Sequence, residues 1–420
     1  MRRLAPLLLA AALVLSSAAA GKAASGPVFS DSGPDAQAYG ADEGYPVPPK
    51  DAPYAQITQK FLVGHYSHFD RVRRLRTVPT SPQPSLLKRA SAEIRPVYGY
   101  DRRIKTIANY LHDNPATGLL IARGDTVLYE HYQYGRTDHD RFLTQSMAKT
   151  VTGLLVGIAL SEGAIHSLAD TAATYVPELA GTGYGATSIR ALLQMSSGIA
   201  FQETYQPGDD SAKLIAGLVP AGAPGAIATI RQFDSRVAPP GTRFNYSSAD
   251  SEVLGLIVSR AVHEPLAQYL SERIWQKLGA EADAGWLTDP SGQELSFCCM
   301  VARLRDWARL GLMLANDGKW NGRQIVPRQW ILDSTTVPAD SYLAPGRLSS
   351  ILGYGYQVWI SYGERRRFSL LGIHGQSMLI DPVTKLVLVT TAVRPEAAGG
   401  PSGIELADLW YAVLAQYGDR

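Results

Sequence analysis

Ser146 and Lys149 lie in the stretch Ser146-Met147-Ala148-Lys149, which opens a long apolar run. The apolar residues recur at helical spacing, so we predict a helix with the serine and the lysine on one face, one turn apart. A serine hydroxyl is a weak nucleophile unless a neighbouring base takes its proton, and a lysine can be that base when its proton affinity is lowered. The start of a helix also offers free N–H groups and a partial positive charge, which suit an oxyanion. The stretch therefore predicts a nucleophile and its base.

A second stretch, Ser85-Leu86-Leu87-Lys88, has the same spacing of serine and lysine. In a chain of this length the two-residue pattern is expected on the order of once by chance, so the surrounding sequence must decide between the copies. The second copy follows the Pro-rich residues 78–84, and no long apolar helix comes after it. We therefore predict that Ser85 is a helix N-cap and that Ser146 is the nucleophile.

The composition is that of an ordinary globular protein with a sizeable core. The chain has 420 residues, of which 45% are hydrophobic and 19% charged, so it can form one large domain or two modest ones. The net charge is +2, and there is no basic stripe of the kind that nucleic acid requires. Composition therefore gives no indication of a nucleic-acid partner.

The N-terminus has the pattern of a secretory signal peptide over residues 1–20. Arg2 and Arg3 precede an apolar run from Leu4 to Leu15, and small residues follow at positions 18–20. The run is short for a membrane anchor, which is the alternative, and no later segment is long and apolar enough to cross a bilayer. Residues 21–60 are rich in Gly, Pro, Asp and Ala and predict a flexible leader. We expect a secreted or periplasmic protein.

The two cysteines of the chain, Cys298 and Cys299, are adjacent. Neighbouring cysteines can bond only through a strained ring, so we predict two buried free thiols, whose replacement by serine should leave activity nearly unchanged. No His or carboxylate pair at ligand spacing accompanies them, which argues against a metal site. His65 and His68 are interpreted as isolated surface histidines, with a metal-binding pair as the alternative.

The order of the predicted elements indicates an α/β (α+β) fold. Strands at both chain ends surround a helical middle, so we predict an antiparallel sheet built from both ends, flanked by terminal helices, with a mostly helical lobe inserted over about residues 146–334. One domain then covers residues 61–420. The clearest elements are a hairpin over 118–134, helices over 104–112, 189–195, 248–262, 266–278, 301–316 and 403–417, and strands over 356–360, 368–371, 377–380 and 386–392.

Two further stretches follow the serine in an order that is informative about the family. Tyr246 lies in the run from Pro239 to Ser248, and Gly372-Ile373-His374-Gly375-Gln376 precedes the last strand pair. The order of nucleophile, tyrosine and glycine strand resembles the class C-type β-lactamase superfamily of serine hydrolases, and most of all its branch of 6-aminohexanoate-dimer (nylon-oligomer) hydrolases. The resemblance covers about residues 104–417 and includes three supporting stretches, at 175–179, 192–199 and 303–311.

This resemblance implies a β-lactamase/penicillin-binding-protein-like fold and roles for individual residues. Tyr246 would pass protons between Lys149 and the leaving group, and the backbone N–H groups of Ser146 and Ile373 would form the oxyanion hole. Tyr205 matches a lid tyrosine of the nylon-oligomer branch, with loop packing as the alternative. No metal or organic cofactor is implied.

The sequence departs from the superfamily pattern at two motifs. Ser248 occupies the position of the asparagine in the Tyr-x-Asn motif that is frequent in the superfamily. A serine has no side-chain amide, so it cannot hold a substrate's acylamino group from two sides as an asparagine can. The third motif lacks Lys-Thr-Gly; His374 there could orient the strand, meet substrate or be structural. Residues 365–367 are three arginines before this motif, and we interpret them as a solvated strand end because successive strand residues cannot all face one pocket.

We therefore predict an exported serine hydrolase that cleaves an ester or amide bond of a small molecule or peptide through an acyl-enzyme. Small esters or amides of linear acids should be better substrates than β-lactams. The alternatives are a β-lactamase or D,D-peptidase and, from another class, a catalytically silent penicillin-recognising receptor. The sequence does not fix the substrate or the oligomeric state.

Overall fold

The computed structural model describes residues 26–53 and 57–418. The signal peptide predicted for residues 1–20 lies outside the described residues. Within the described ranges, each helix is too short or too polar to cross a lipid bilayer.

The described residues form strands and helices in alternating blocks. The strands are β1 Val28–Phe29, β2 Leu75–Val78, β3 Lys88–Arg89, β4 Val97–Tyr100, β5 Arg103–Thr106, β6 Ala116–Arg123, β7 Thr126–Tyr132, β8 Phe142–Leu143, β9 Ala284–Leu287, β10 Met300–Ala302, β11 Lys319–Trp320, β12 Arg323–Gln324, β13 Leu352–Tyr354, β14 Trp359–Ser361, β15 Phe368–Gly372, β16 Gln376–Asp381 and β17 Leu386–Ala392. The α-helices are α1 Gln59–Ser67, α2 Phe69–Val72, α3 Ile107–Asp113, α4 Met147–Ser161, α5 Ala172–Tyr175, α6 Ile189–Leu193, α7 Asp210–Leu218, α8 Ala226–Ile230, α9 Ser248–Val262, α10 Leu266–Leu270, α11 Gln276–Leu278, α12 Leu304–Ala315, α13 Arg328–Thr335 and α14 Pro401–Ala415.

One large sheet joins the two ends of the chain, as predicted. Its strand order is β1-β7-β6-β17-β16-β15-β14-β13, and the strands from β7 to β13 pair in antiparallel fashion. The early hairpin β6–β7 meets the late strands through the pairing of β6 with β17. At one edge the sheet is mixed, because β1 and β3 both pair with β7 in parallel.

Both faces of the sheet are buried, which follows from the alternation of side chains along its central strands. On β6, Leu119 and Ile121 pack in the core that contains α3 and α14. Leu120 and Ala122 point the other way, into the larger core that contains α4, α9 and α12. The sheet is therefore the middle of three layers.

The helical region lies between β8 and β13. Helix α4 is its centre, and residues 147–159 of this helix are all buried. Helix α9 packs on α4, α5 and α6. The lobe predicted for about 146–334 differs in one part: α12 packs against β6, β16 and β17 and therefore covers the sheet. A smaller sheet, β2-β9-β10-β8, connects this region to the first residues of the domain.

Several predicted element bounds are shifted. The helix predicted for 104–112 starts later, because β5 runs to Thr106 and α3 begins at Ile107 with Thr106 as its N-cap. The segment predicted as one helix over 301–316 is β10 followed by α12. The strand predicted for 356–360 is found at Trp359–Ser361.

The structure corrects the flexible leader over residues 26–53. Strand β1 pairs with β7, and the buried side chain of Tyr39 donates a hydrogen bond to the carbonyl of Val393 over 2.7 Å. Gly64 of α1 also lies directly against the backbone of Pro46. These residues are part of the folded body because distant segments supply their partners.

Two local interpretations from the N-terminal third are also wrong. His65 is buried and packs edge-on against Phe69, so it is not a surface histidine. No helix follows Ser85. The carbonyl of Ser85 accepts hydrogen bonds from Arg309, and its hydroxyl accepts one from Asn321. Ser85 is therefore a loop residue that anchors other segments.

The predicted free thiols are wrong as well, because Cys298 and Cys299 are joined by a disulfide. Cys299 has a left-handed backbone, with φ 70°. The ring N–H of Trp286 donates to the carbonyl of Cys298 over 3.0 Å. This fixes the segment that carries both cysteines.

The arginines before the third motif are held by carboxylates. Arg366 pairs with Asp317, and Arg367 pairs with the buried Asp381. The solvated strand end predicted for residues 365–367 is therefore wrong for these two side chains. Their charges are already balanced within the fold.

Candidate active site

Ser146 lies at the sharp turn between β8 and α4. Gln145, the residue before it, has a left-handed backbone with φ 48°, a conformation that non-glycine residues rarely adopt. Its side chain donates to the hydroxyl of the buried Tyr66 over 3.0 Å. The N–H of Met147 donates to the carbonyl of Thr144 and closes the turn. This geometry presents Ser146 at the N-terminus of a buried helix, with its side chain half-buried.

Lys149 lies one turn further along α4 and is almost completely buried, with 1% of its surface exposed. Its ammonium donates to Ser146 Oγ at 2.9 Å, to Ser248 Oγ at 3.1 Å and to the carbonyl of Phe297 at 3.1 Å. Burial lowers the pKa of Lys149 to about 8, and the negative charge of Glu203 opposes part of that fall. A substantial neutral fraction is therefore present in mildly alkaline solution, as a general base requires.

Tyr246 reaches the same point from the segment before α9. The N–H of Asn245 donates to the carbonyl of Met195 over 2.7 Å, and its side chain donates to the carbonyl of Phe201 over 2.9 Å. The ring of Tyr246 stacks on Trp359, and the ammonium of Lys149 lies 4.9 Å from its centre.

The hydroxyl of Tyr246 lies next to the side chain of Ser146, whose interaction with it opposes the rise in its pKa. Burial raises the pKa of Tyr246, and the charge of Glu203 raises it further, so the hydroxyl keeps its proton at neutral pH. Tyr246 is therefore a proton donor next to Ser146.

The third motif comes within contact distance of the serine turn because Gly372 has no side chain. A Cβ on Gly372 would lie 2.5 Å from the carbonyl oxygen of Thr144 and 3.2 Å from Cβ of Gln145. Ile373 follows directly, at the start of a 3₁₀ turn over Ile373–Gly375. No backbone carbonyl among the described residues accepts the N–H of Ser146 or that of Ile373. Two free donors therefore lie on the two segments that meet here.

The three residues predicted to meet substrate have different surroundings. Ser248 is buried between Lys149 and Glu203, and the single proton of its hydroxyl is already donated to Glu203. The hydroxyl of Tyr205 donates to Glu203 over 3.2 Å, and the residue is half-buried with φ 58°. His374 is packed against Tyr66, and its Nδ1–H donates to a backbone carbonyl, which favours the structural alternative.

Glu203 joins Ser248 and Tyr205, although no pattern in the sequence singled it out. Its carboxylate accepts from Ser248 twice, from the N–H at 2.6 Å and from the hydroxyl at 2.8 Å, and once from Tyr205. The carbonyl of Phe297 was missed too, because a backbone acceptor leaves no trace in the residue types. One signal could have pointed to Glu203: a serine in place of Asn at position 248 leaves a polar position that needs another partner.

The cluster thus contains the parts that acyl transfer needs. It has a hydroxyl nucleophile, a buried amine in contact with it, a protonated phenol next to the same serine, and free N–H donors beside it. The structure brings together the three side chains that the sequence predicted as catalytic, Ser146, Lys149 and Tyr246.

Comparison with known proteins agrees with the resemblance found in the sequence. Residues 104–407 match the family model described as beta-lactamase. The chain is 30% identical over 315 residues to the 6-aminohexanoate-dimer hydrolase of Paenarthrobacter ureafaciens, and the alignment covers 70% of this chain and 76% of that protein.

Solved structures with the same architecture include relatives of two kinds. A Bacillus anthracis protein provisionally described as a 6-aminohexanoate-dimer hydrolase superposes with a TM-score of 0.78 at 25% identity, covering 88% of this chain and 98% of its own. A penicillin binding protein from Bacillus halodurans superposes with a TM-score of 0.56 at 16% identity, covering 74% and 100%, and this likeness concerns the fold alone. The predicted fold class is confirmed.

Proposed function

This chain belongs to the β-lactamase family and is a serine hydrolase, and we propose that it cleaves ester or linear amide bonds through an acyl-enzyme on Ser146. The observation that carries the proposal is the contact of Ser146 Oγ with the buried amine of Lys149 at 2.9 Å, with the hydroxyl of Tyr246 beside the same serine. A nucleophile joined directly to a base and to an acid can accept and return protons without a mobile water.

In the acylation step, Ser146 Oγ forms a bond to the carbonyl carbon and its proton passes to the neutral amine of Lys149. The carbonyl oxygen becomes an oxyanion, which accepts from the N–H groups of Ser146 and Ile373. The bond to the leaving oxygen or nitrogen then breaks. Tyr246 gives its proton to the leaving atom and takes one from Lys149, so the amine is neutral again.

Deacylation reverses these transfers with water as the nucleophile. A water oxygen bonds to the acyl carbon, and its proton passes through Tyr246 to Lys149. The bond from the acyl carbon to Ser146 Oγ breaks, and the oxygen regains a proton from the same pair. The products are the free acid and the original enzyme, and no redox partner is needed.

Labelling tests this assignment. A fluorophosphonate should modify Ser146 alone, located by mass spectrometry of the labelled peptides, and Ser146→Ala should remove both the label and the hydrolysis. Ser85→Ala is the matched control, because Ser85 has the same spacing to a lysine but is a loop anchor. Labelling that persists in Ser146→Ala, or an adduct on Ser85, would refute the proposal.

The substrate class that we propose is linear. The relative from Paenarthrobacter ureafaciens is named for an amide of a linear acid. A ring carboxylate, as in β-lactams, needs a positive charge near the third motif, and Arg366 and Arg367 are already paired with Asp317 and Asp381. We expect kcat/KM for a p-nitrophenyl butyrate ester to exceed that for nitrocefin. A tenfold preference for nitrocefin would instead identify a β-lactamase, and binding of β-lactams without turnover of any ester or amide would identify a receptor.

Export is also part of the proposal and is supported by the charged start, short apolar run and small residues of positions 1–20. The mature protein should begin near Gly21 and lie outside the cytoplasm. N-terminal sequencing of exported material tests this, and a chain that still begins at Met1 would contradict it.

A further inference from the structure

Hydrogen-bond donors and acceptors around Lys149 can be assigned completely. The carbonyl of Phe297 can only accept. A serine hydroxyl has a single proton, and the one on Ser248 points at Glu203 Oε1 at 2.8 Å. Ser248 Oγ can therefore only accept from Lys149, at 3.1 Å. Two of the three directions around the amine nitrogen are thus fixed as N–H donors.

The third direction is towards Ser146. When Lys149 loses one proton, it keeps two N–H bonds and gains one lone pair. Both N–H bonds are taken by partners that cannot donate back, so the lone pair must point at Ser146 Oγ, at 2.9 Å. That is the orientation in which the amine can take the serine proton.

Glu203 itself is held firmly in place. Its Oε2 accepts the N–H of Ser248 at 2.6 Å, at the N-terminus of the 15-residue helix α9, where a negative charge is favourable. Its Oε1 also accepts from the hydroxyl of Tyr205. The loop that carries both residues is tied down by Asp209, which accepts the N–H groups of Thr204 and Tyr205 at 2.8 Å each.

We propose that Glu203 is a positioning residue of this hydrolase: by holding the proton of Ser248, it makes Ser248 an acceptor and thereby aims the lone pair of neutral Lys149 at Ser146. The proposal rests on the function proposed above. It gives Ser248 a role in orienting the base, with no contact to substrate. Without Glu203, the Ser248 hydroxyl can rotate and donate to the lone pair, which turns the base away from the nucleophile.

Glu203→Gln tests the direction of this relay because it keeps the shape of the side chain. The amide must still accept the backbone N–H of Ser248, so its NH₂ group faces Ser248 Oγ and reverses that hydroxyl. We expect kcat to fall about 10²-fold, the loss typical of a misplaced catalytic group, with little change in KM. Asp210→Asn is the matched control, since it removes the carboxylate at the first residue of α7, which directly follows this loop and accepts from the N–H of Gln202, and it should leave kcat near the wild-type value.

The decisive measurement is the same substitution in a Ser248→Ala background. Alanine has no hydroxyl that could donate to the lone pair of Lys149. In the Ser248→Ala background, Glu203→Gln should therefore lower kcat by less than about 3-fold, although Ser248→Ala alone already lowers the rate. An equal loss in both backgrounds, a loss of the same size in Asp210→Asn, or unchanged kcat in Glu203→Gln would overturn the inference. If a fluorophosphonate still labels the wild-type protein at Ser146, such an outcome refutes the role of Glu203 and leaves the proposed function intact.

The pH profile gives a second readout, because the charge of Glu203 also acts on Lys149. The ionisable side chains that act on Lys149 are Glu203 from this loop and Tyr246 from the segment before α9, and Tyr205 in turn donates to Glu203. Burial lowers the pKa of Lys149, and Glu203 partly offsets this. Since the active form is the neutral amine, the rising limb of kcat/KM should move to lower pH in Glu203→Gln. A limb that stays in place would count against the proposal.

Discussion

The burial of Lys149 should make the enzyme less stable at neutral pH than a variant without this charge. In Lys149→Met, an apolar side chain of similar length replaces an amine that has 1% of its surface exposed. The pKa of Lys149 is lowered from 10.5 to about 8, with burial as the main cause. In the unfolded chain the amine returns to water, so the folded state alone bears the cost of the charge.

The size of the effect follows from these two pKa values. One pKa unit corresponds to about 1.4 kcal/mol, so below about pH 8 the charged amine costs the folded protein about 3 kcal/mol. Between the folded and the unfolded pKa, the unfolded chain binds the proton and the folded protein does not, so wild-type stability rises with pH in this window. By about pH 10, only about 1 kcal/mol of the cost remains.

Urea denaturation followed by tryptophan fluorescence, repeated from about pH 7 to about pH 10, measures this directly. The free energy of unfolding of Lys149→Met minus that of the wild type should fall by about 2–3 kcal/mol across the range. Lys149→Ala is the control, because its larger packing defect shifts the whole curve but the pH-dependent part must be the same. Parallel curves for wild type and Lys149→Met would refute the reasoning, since they would mean that the amine has the same proton affinity folded and unfolded.

Three further substitutions probe the same site. Tyr246→Phe should keep the fold and lower kcat about 10²–10⁴-fold, as loss of an acid–base group does; an unfolded protein by circular dichroism would instead indicate a structural tyrosine. Gly372→Ala should lower kcat more than about tenfold by pushing the oxyanion strand from Thr144, while Gly99→Ala, with no atoms within 4 Å of its Cβ, should have no effect. Replacing Cys298 and Cys299 by serine should reduce turnover a few-fold, because the disulfide directly follows the carbonyl that accepts from Lys149. Chemical reduction of the wild-type protein should cause the same loss, and it should leave the activity of the variant unchanged. Full activity of both the variant and the reduced wild type would show that the disulfide is dispensable.

Periodicity predicted the fold where an element is stabilised by its own repeating pattern. Helix α9 has the predicted bounds, 248–262, and the hairpin β6–β7 matches its predicted range of 118–134 except that β6 begins two residues earlier, at Ala116. Periodicity did not predict the structure of segments whose contact partners lie far away in the sequence. Residues 26–53 have the composition of a linker, yet β1 finds an edge on β7 and Tyr39 finds the carbonyl of Val393, and neither contact can be read locally.

The same distinction separates the parts of the site. Ser146 and Lys149 could be predicted together because three residues on a helix fix their distance, and Tyr246 could be added because the order of motifs was informative. Glu203 lies on a loop, far from Lys149 in the chain, and no spacing rule connects the two. For Cys298 and Cys299, adjacency indicated free thiols, whereas the structure bonds them at a turn with a left-handed residue.

Ser248 shows how one change in a motif can alter what a position does. In the superfamily pattern that this chain resembles, an asparagine here can donate and accept at once, so it can serve both the protein and a substrate. A serine has one proton, and in this structure Glu203 takes it, while Lys149 occupies the oxygen. No donor remains for an acylamino group, which agrees with the proposed preference for simple linear acyl groups. In this chain we infer that the position controls the base, and the Glu203→Gln and Ser248→Ala pair measures that control.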